Sequence, residues 1–290
     1  MQSLTVDLIA ILAALTMSTV SILNRRGFQS GSPYMAAVTV NLTVLLIYSG
    51  ICTAIGIRWL ELPRAGVFWF LVGGISSPAL SITAYYISLN RFGVAKAVPI
   101  SMGSSPLFSV LLSTVILGER PPASLYAGTA LIVGGIWVIT RPKGESRMNW
   151  TEAVIPLSGG FFWGLAAVIR KIGLEILPLP HVGIVFSTFS ALVVLLLTYG
   201  FFPKGRRFVR SGKALMFFIL AGAALAVTLY FLFSAIRLGE VSRVMAILGA
   251  TPMLSVAMAA IFLGDLERIT LRTHLGTASI VLGIVLITLV

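Results

Sequence analysis

The 290-residue sequence contains few of the residues from which most catalytic and metal sites are built. It has nine acidic residues, two histidines and a single cysteine, Cys52. All nine acids fall in predicted loops or within about a turn of the end of an apolar run, and both histidines lie at loop edges. One cysteine cannot form a disulfide within the chain. The sequence therefore predicts no metal site, no Cys-His catalytic pair and no bound cofactor.

Two further classes of function lack their usual signatures. No G-x-x-x-x-G-K-[ST] motif is present, so direct driving by ATP is not predicted. The formal net charge is +12, but the Lys and Arg residues are spread over short loops. Binding to nucleic acid requires cations gathered on one exposed face. The composition therefore predicts no nucleic-acid partner.

Apolar residues are abundant, and they are arranged in long runs. Hydrophobic residues make up 58% of the chain and charged residues 10%, whereas roughly 25% of a typical soluble domain is charged. Runs of about 20 apolar residues are long enough to cross a bilayer. They predict an all-α membrane protein of ten transmembrane helices, in the inner (plasma) membrane of a prokaryote. The predicted spans are 4–23, 33–57, 66–89, 94–117, 123–140, 153–170, 182–202, 212–236, 240–263 and 271–290.

The cationic residues predict the orientation of these spans. Of the 21 Lys and Arg residues, 14 fall in or beside alternate loops, beginning with Arg25 and Arg26. Cytoplasmic loops carry an excess of Lys and Arg. We therefore expect both termini to lie outside the cytoplasm.

The sequence repeats itself at an offset of about 146 residues. Pro106 and Pro252 occupy equivalent positions in GSSPLFSVLLSTVILGER and GATPMLSVAMAAIFLGDL, and the motif GTALIVGGI at 128–136 returns as GTASIVLGI at 276–284. The chain is thus predicted to be two five-helix repeats, 1–145 and 146–290. Because five is odd, the second copy enters the membrane from the opposite side, which predicts an inverted repeat.

Ten spans in two five-span repeats, each with a proline-containing apolar helix that ends in Gly and an acid, resemble the EamA-type family of the drug/metabolite transporter superfamily. The second copy has Asp265 where this family usually has Glu. The resemblance implies transport of a small metabolite, commonly export of amino acids, through a cavity between the halves. It also implies that helices 123–140 and 271–290 lie at the periphery, where they mediate dimerisation in four-span relatives. We expect a monomer or a weak homo-oligomer.

The prolines inside the spans predict hinges. Pro106 and Pro252 each remove a backbone donor and free the carbonyl four residues earlier, which then needs a partner within the protein or a water-lined cavity. Static kinks are the alternative. Lys96 and Arg243 lie near the first turns of the same two spans, where a cation opposes the helix dipole. They are interpreted as two separate gates, or as side chains that reach the interface.

Polar and aromatic residues within the spans predict the lining of the substrate site. Trp163 and its repeat counterpart Met17 are expected to wall the cavity, although core packing is as common a role for such a tryptophan. Tyr85 and Tyr230 are candidates for ligand contacts or for the interfacial aromatic belt. The predicted substrate-binding residues are Trp163, Met17, Asn41, Tyr85, Ser101, Ser105, Thr251 and Tyr230.

The charge of the spans restricts the substrate and the coupling. The sequence places no carboxylate and no Lys or Arg at mid-span, which disfavours a multiply charged substrate and a buried proton carrier. Asp7 is a weak candidate for that carrier. We therefore expect a secondary transporter, an exporter or exchanger, of a small neutral or zwitterionic metabolite. A membrane-embedded enzyme acting on a lipid or prenyl substrate is the alternative, and a channel is a third possibility.

Overall fold

The computed structural model describes residues 2–119, 124–140, 150–198, 211–249, 251–264 and 270–288. The regular structure in these ranges is helical, with no strand among them. The helices are α1 Gln2–Gly27, α2 Pro33–Ile55, α3 Arg64–Gly74, α4 Ser81–Phe92, α5 Val94–Ile116, α6 Ser124–Thr140, α7 Trp150–Ile176, α8 Pro180–Thr198, α9 Gly212–Leu238, α10 Val241–Leu248, α11 Thr251–Phe262 and α12 Leu271–Thr288. The all-α prediction is thus confirmed for the described part of the chain.

Seven helical stretches in the described ranges are long and apolar enough to cross a membrane. They are α1, α2, the α3–α4 stretch, α5, α7, α8 and α9. The predicted span 123–140 corresponds to α6, which has 17 residues, and span 240–263 is divided into α10 and α11. The count of ten spans therefore stays a prediction. Residues 141–149, where the two predicted repeats join, lie outside the described residues.

The third apolar run is interrupted in its middle. The segment Ile75–Leu80 joins α3 to α4, and Ser77 within it has extended dihedral angles of φ −153° and ψ 122°, which break the helix. Pro78 follows immediately. An extended residue before proline is the expected conformation, because the proline ring disfavours the α region for its predecessor. This break, which we call the Ser77 break, packs against α7 and α8, and Ser76 Oγ donates to the carbonyl of Phe162 in α7.

The two predicted hinge prolines have different local structures. Helix α5 continues as a single helix through Pro106, whereas the equivalent span ends one helix at Leu248 and begins the next at Thr251, one residue before Pro252. In both cases the residue before the proline satisfies the freed carbonyl. Ser105 Oγ donates to Met102 O at 3.0 Å, and Thr251 Oγ1 donates to Leu248 O at 2.5 Å. The prediction that these carbonyls need partners is thus confirmed.

Helices of the two predicted repeats pack in corresponding pairs. Helix α1 packs along α9, and its counterpart α7 packs along α3, the Ser77 break and α4. Two glycines at equivalent positions in the halves show the same correspondence. A Cβ at Gly27 would lie 2.3 Å from Cε1 of Phe218, and a Cβ at Gly173 would lie 2.7 Å from Cε1 of Phe70. Each half therefore places an aromatic ring against a glycine of the other half, as two copies related by a two-fold axis would do. The inverted orientation itself stays a prediction.

Helices α6 and α12 pack mainly against each other. A Cβ at Gly135 would lie 2.5 Å from the carbonyl oxygen of Gly276, and a Cβ at Gly283 would lie 2.5 Å from that of Gly128. These are equivalent positions at the 148-residue offset. Small residues allow two membrane helices to approach closely at such crossings. The repeated glycine motif therefore forms the contact between the last helices of the two halves.

Candidate functional site

A glycine in α7 brings together three of the helices that carry predicted site residues. A Cβ at Gly159 would lie 2.8 Å from Ser101 Oγ of α5 and 3.5 Å from the backbone nitrogen of Tyr85 in α4. Ser101 is buried, and its hydroxyl has no hydrogen-bond partner among the described residues. Tyr85 is fully buried, and its hydroxyl lies 2.6 Å from Ser21 Oγ of α1. Burial excludes Tyr85 from the interfacial belt.

The predicted aromatic and thioether pair belongs to the same region. Trp163 lies one turn after Gly159 in α7, is 2% exposed, and has no partner for its indole N–H in the described part of the chain. Met17 lies one turn before Ser21 in α1 and is equally buried. Both side chains belong to the main hydrophobic core together with Tyr85. We call Met17, Tyr85, Ser101 and Trp163 the central cluster.

The hydroxyl of Ser105 donates within α5, and that of Thr251, at the start of α11, donates to the last residue of α10, as described above. Both side chains are buried. Thr251 also lies near α1, because its carbonyl accepts from Ser18 Oγ at 3.4 Å. In this conformation the two hydroxyls therefore stabilise the backbone before the prolines.

The structure does not join the remaining two predicted lining residues to the central cluster. Asn41 is buried in α2, where its Nδ2 donates to Ala37 O at 2.8 Å and its Oδ1 has no partner among the described atoms. Tyr230 is 46% exposed on α9. Its position agrees with the belt alternative, and we leave it out of the site proposed below.

Charged groups connect the two halves at the face of the bundle where α1 begins, here called the first face. Arg243 of α10 donates to both carboxylate oxygens of Asp7 in α1, at 2.9 and 2.8 Å. Glu119, just after α5, accepts from the backbone nitrogens of Val241 and Ser242 at 3.2 and 3.3 Å. The carboxylate of Glu119 thus stabilises the N-terminus of α10 in the other half. Negative charge is favourable at that position.

The opposite face, called the second face, has its own contacts between the halves. Arg26 at the end of α1 donates to the carbonyl of Phe262 in α11, and Arg91 of α4 pairs with Glu152 of α7. Lys96 lies in the first turn of α5 and is partly buried. The predicted gates Lys96 and Arg243 thus lie in different halves, and Arg243 pairs with Asp7 of the other half.

Sequence reasoning missed one buried cation. Arg170 is 1% exposed; its Nη2 donates to the carbonyl of Ser77 at 2.8 Å, and its guanidinium carbon lies 5.1 Å from the ring centroid of Phe233. The sequence predicts that Arg170 lies at the end of a span and does not predict its burial. The sequence ends the sixth span at residue 170, whereas α7 continues to Ile176. The sequence signal for this longer helix is the set of apolar residues beyond Arg170, namely Leu174, Ile176 and Leu177.

The contacts define a multi-pass membrane protein of two corresponding halves around a buried polar cluster. The sequence model of the EamA-like transporter family matches the chain twice, at residues 4–141 and 150–289. The chain belongs to this family, and the predicted resemblance is confirmed. It is a multi-pass integral membrane protein of a prokaryotic type.

Individual relatives agree with this assignment. The chain is 29% identical to an uncharacterized transporter of Archaeoglobus fulgidus over 71% of its own length and 70% of the relative's. It is 30% identical to a riboflavin transporter of Rhizobium johnstonii over 53% of this chain and 49% of that protein. It is also 30% identical to the pseudopaline exporter CntI of Pseudomonas aeruginosa over 56% of each. The chain thus spans about half the length of these last two relatives.

A solved crystal structure has the same fold. It superposes with a TM-score of 0.74, covering 98% of this chain and 96% of the other at 18% identity. At that identity the likeness concerns the fold alone.

Proposed function

We propose that this protein is a secondary transporter, an exporter or exchanger, of a small neutral or zwitterionic metabolite such as an amino acid. The proposed substrate site is the central cluster; Thr251 and Asn41 stay predicted lining residues. The observation that carries the proposal is the corresponding packing of the two halves, in which Gly27 meets Phe218 and Gly173 meets Phe70. Two halves that use equivalent contacts can exchange conformations and expose one site to each side in turn.

The chemistry of the central cluster supports the substrate class. Trp163, Tyr85 and Met17 provide aromatic and polarisable apolar surface. The indole N–H of Trp163 and the hydroxyl of Ser101 are polar groups without partners in the described structure. A buried polar group without a partner is costly. A ligand that supplies hydrogen-bond partners between apolar walls would satisfy these groups.

The contacts at the two faces support alternating access. Different ion pairs and caps join the halves at the first face and at the second face, so one set can open while the other stays closed. On this proposal Pro106 and Pro252 lie at the points where α5 and the α10–α11 span bend, and Lys96 and Arg243 act at separate faces.

Reconstitution into liposomes tests the function. Counterflow of labelled amino acids, sugars and amphipathic cations is measured with and without a pH gradient. We expect saturable flux of an amino acid that Trp163→Ala reduces by at least about tenfold, since a factor of ten is about 1.4 kcal/mol and truncation of a buried aromatic side chain costs more than that. Trp59→Ala is the matched control, because Trp59 is exposed and packs on Phe186 away from the cluster. Flux that is equal in the two variants contradicts the proposed site, and no saturable flux of any compound contradicts the function.

A further inference from the structure

The buried guanidinium of Arg170 carries an inference that rests on the proposed function and specifies its substrate. Arg170 Nε and Nη1 have no hydrogen-bond partner in the described structure, although the side chain is 1% exposed. Within residues 2–119, 124–140, 150–198, 211–249, 251–264 and 270–288, no carboxylate lies at ion-pair distance from it. A buried charge is normally paired, and an ionisable side chain inside the membrane marks a functional site by default.

The known contacts of Arg170 account for only part of its hydrogen-bonding capacity. Its Nη2 supplies the partner for the carbonyl of Ser77, and the ring of Phe233 covers the guanidinium. A guanidinium has five N–H donors. The hydroxyl of Ser77 is also buried without a partner in the described part of the chain. The Nε and Nη1 donors of Arg170 and the hydroxyl of Ser77, whose carbonyl Arg170 binds, are therefore all buried without an acceptor among the described residues.

The position of Arg170 relates it to the central cluster. Trp163 and Arg170 are seven residues apart in α7, so they lie on one face of the helix, about 10.5 Å apart along its axis. Side chains of a helix point towards its N-terminus, so that of Arg170 extends towards Trp163. Arg170 and Phe233 belong to the second half and Ser77 to the first. The guanidinium therefore lies between the halves, at one end of the proposed substrate site.

The two halves differ at this position. At the 146-residue offset the counterpart of Arg170 is Asn24, while the adjacent pair Arg25 and Lys171 keeps its role. Arg25 donates to carbonyls at the end of α4, and Lys171 donates to those of Ile236 and Gly239 at the end of α9. Capping of a helix end thus needs a cation in both halves. A buried cation at the position of Arg170 is present in the second half alone. A substrate with one charged end would need such a cation in only one half.

We propose that Arg170 binds the carboxylate of the transported substrate, with Ser77 Oγ as a second donor and with the apolar end of the substrate directed towards Trp163. The substrate is then a zwitterion or a monocarboxylate, and a neutral compound without a carboxylate is a poor ligand. Because Arg170 is buried in this conformation, the carboxylate reaches it when the halves separate. Structural support of the Ser77 break explains one hydrogen bond of Arg170 but not its two nitrogens without partners.

Equilibrium binding to the full chain in detergent tests the proposal without requiring transport. The probes are L-phenylalanine and L-phenylalaninamide, which share the ring and the ammonium group and differ in the carboxylate. Binding is followed by the ligand dependence of thermal unfolding. We expect the acid to bind at least about tenfold more tightly than the amide, since a hydrogen bond to a charged group has this effect. Sodium chloride at matched concentration controls for the binding of any anion.

The same ratio is then measured in variants. We expect Arg170→Gln to reduce the preference for the acid below about twofold and Arg170→Lys to keep part of it, because a lysine retains the charge but not the guanidinium geometry. Arg64→Gln removes an exposed cation on α3 and should leave the ratio unchanged. The ratio of two ligands within one variant is independent of how much protein is folded.

Each outcome bears on the proposal. Equal binding of acid and amide by the unmodified protein overturns it, as does a preference that Arg170→Gln retains or an equal shift with chloride. If Arg170→Gln does not fold, the unmodified protein and Arg170→Lys still decide the result. If liposome flux is the same in Arg170→Gln as in the unmodified protein, this inference is overturned and the proposed function stands. Arg170-dependent binding without any flux supports the inference and overturns the proposed function.

Discussion

At the scale of single residues, two glycines determine how closely the halves approach. Gly27 ends α1 and Gly173 lies near the end of α7, and each faces a phenylalanine ring of the other half. A Cβ added at either glycine would lie less than 3 Å from a ring carbon. The ring cannot move aside as a flexible side-chain end could, because it is itself packed. The ring of Phe70 lies 6.3 Å from that of Phe233, and the ring of Phe218 lies 5.7 Å from that of Phe28. The absence of a side chain is thus required at both positions.

Replacing one of these glycines should destabilise the protein. We expect Gly173→Ala to cost about 1–3 kcal/mol of unfolding free energy through overpacking against Phe70, measured by thermal unfolding in detergent. Gly50→Ala is the control, because no atom lies within 4 Å of a Cβ there. Phe70→Leu in the Gly173→Ala background should recover part of the loss. An equal effect of the two glycine substitutions would contradict the close contact.

At the scale of helices, the hydroxyl before each proline stabilises an element that proline would otherwise weaken. Ser105 and Thr251 are equivalent in the repeat, and both donate to the carbonyl that lost its backbone partner. The sequence predicts Ser105 and Thr251 as substrate-binding residues because they are polar residues within the spans. The sequence cannot show which of two possible acceptors a buried hydroxyl uses, since an intrahelical bond and a ligand contact need the same residue type.

Removal of this hydroxyl should cost more than removal of an ordinary one. We expect Ser105→Ala to lower the unfolding free energy by about 1–3 kcal/mol, because Met102 O then loses its partner inside the bundle. Thr53→Ala is the matched control: Thr53 donates to Ser49 O at 2.8 Å, but no proline follows, so that carbonyl keeps its helical N–H. Thermal unfolding of both variants measures the difference. A larger effect of Thr53→Ala would show that the role assigned to Ser105 is wrong.

The ion pair at the first face holds α1 against α10 and provides a second test at this scale. Because Arg243 donates two hydrogen bonds to Asp7, removal of either partner breaks the same contact. We expect Asp7→Asn and Arg243→Gln to change the transport rate in the same direction and by similar factors, and the double variant to add less than the sum of the two. Counterflow rates in liposomes measure this.

A different pattern would assign another role to Asp7. If Asp7→Asn alone abolishes accumulation driven by a pH gradient, and Arg243→Gln leaves it intact, Asp7 carries the proton and the ion pair is secondary. Arg58→Gln controls for the loss of an exposed pair, because Arg58 and Glu61 join neighbouring positions of one loop.

Sequence predicted the helices of this fold better than its buried charges. Hydrophobic length identifies spans, because crossing the bilayer requires about 20 apolar residues. It places their ends poorly where a helix continues past a charged residue, as α7 does beyond Arg170. Pro78 is a sequence signal for the Ser77 break. The donor to the carbonyl of Ser77, however, is Arg170, which lies 93 positions away. No local pattern contains that information.

At the scale of the whole molecule, the two halves share their contacts and differ in their chemistry. The packing of α1 with α9 corresponds to that of α7 with α3 and α4. Helices α6 and α12 are equivalent to each other, so their contact corresponds to itself. Shared packing allows the two end conformations to have similar free energies, which alternating access requires. On the role proposed for Arg170, a substrate with distinct ends binds in one orientation, because Asn24 occupies the equivalent position in the other half.

The orientation of the molecule in the membrane follows from charge and has a direct test. Leu60 lies in the loop after α2, at the first face, and is fully exposed. Lys213 lies at the start of α9, at the second face, since its neighbour Ser211 bonds to Ser30 after α1. The excess of Lys and Arg predicts that the second face is cytoplasmic. In a Cys52→Ala background, we expect Leu60→Cys to react with a membrane-impermeant maleimide in intact cells. Lys213→Cys should react only after permeabilisation, and its labelling in intact cells would mean that the termini are cytoplasmic.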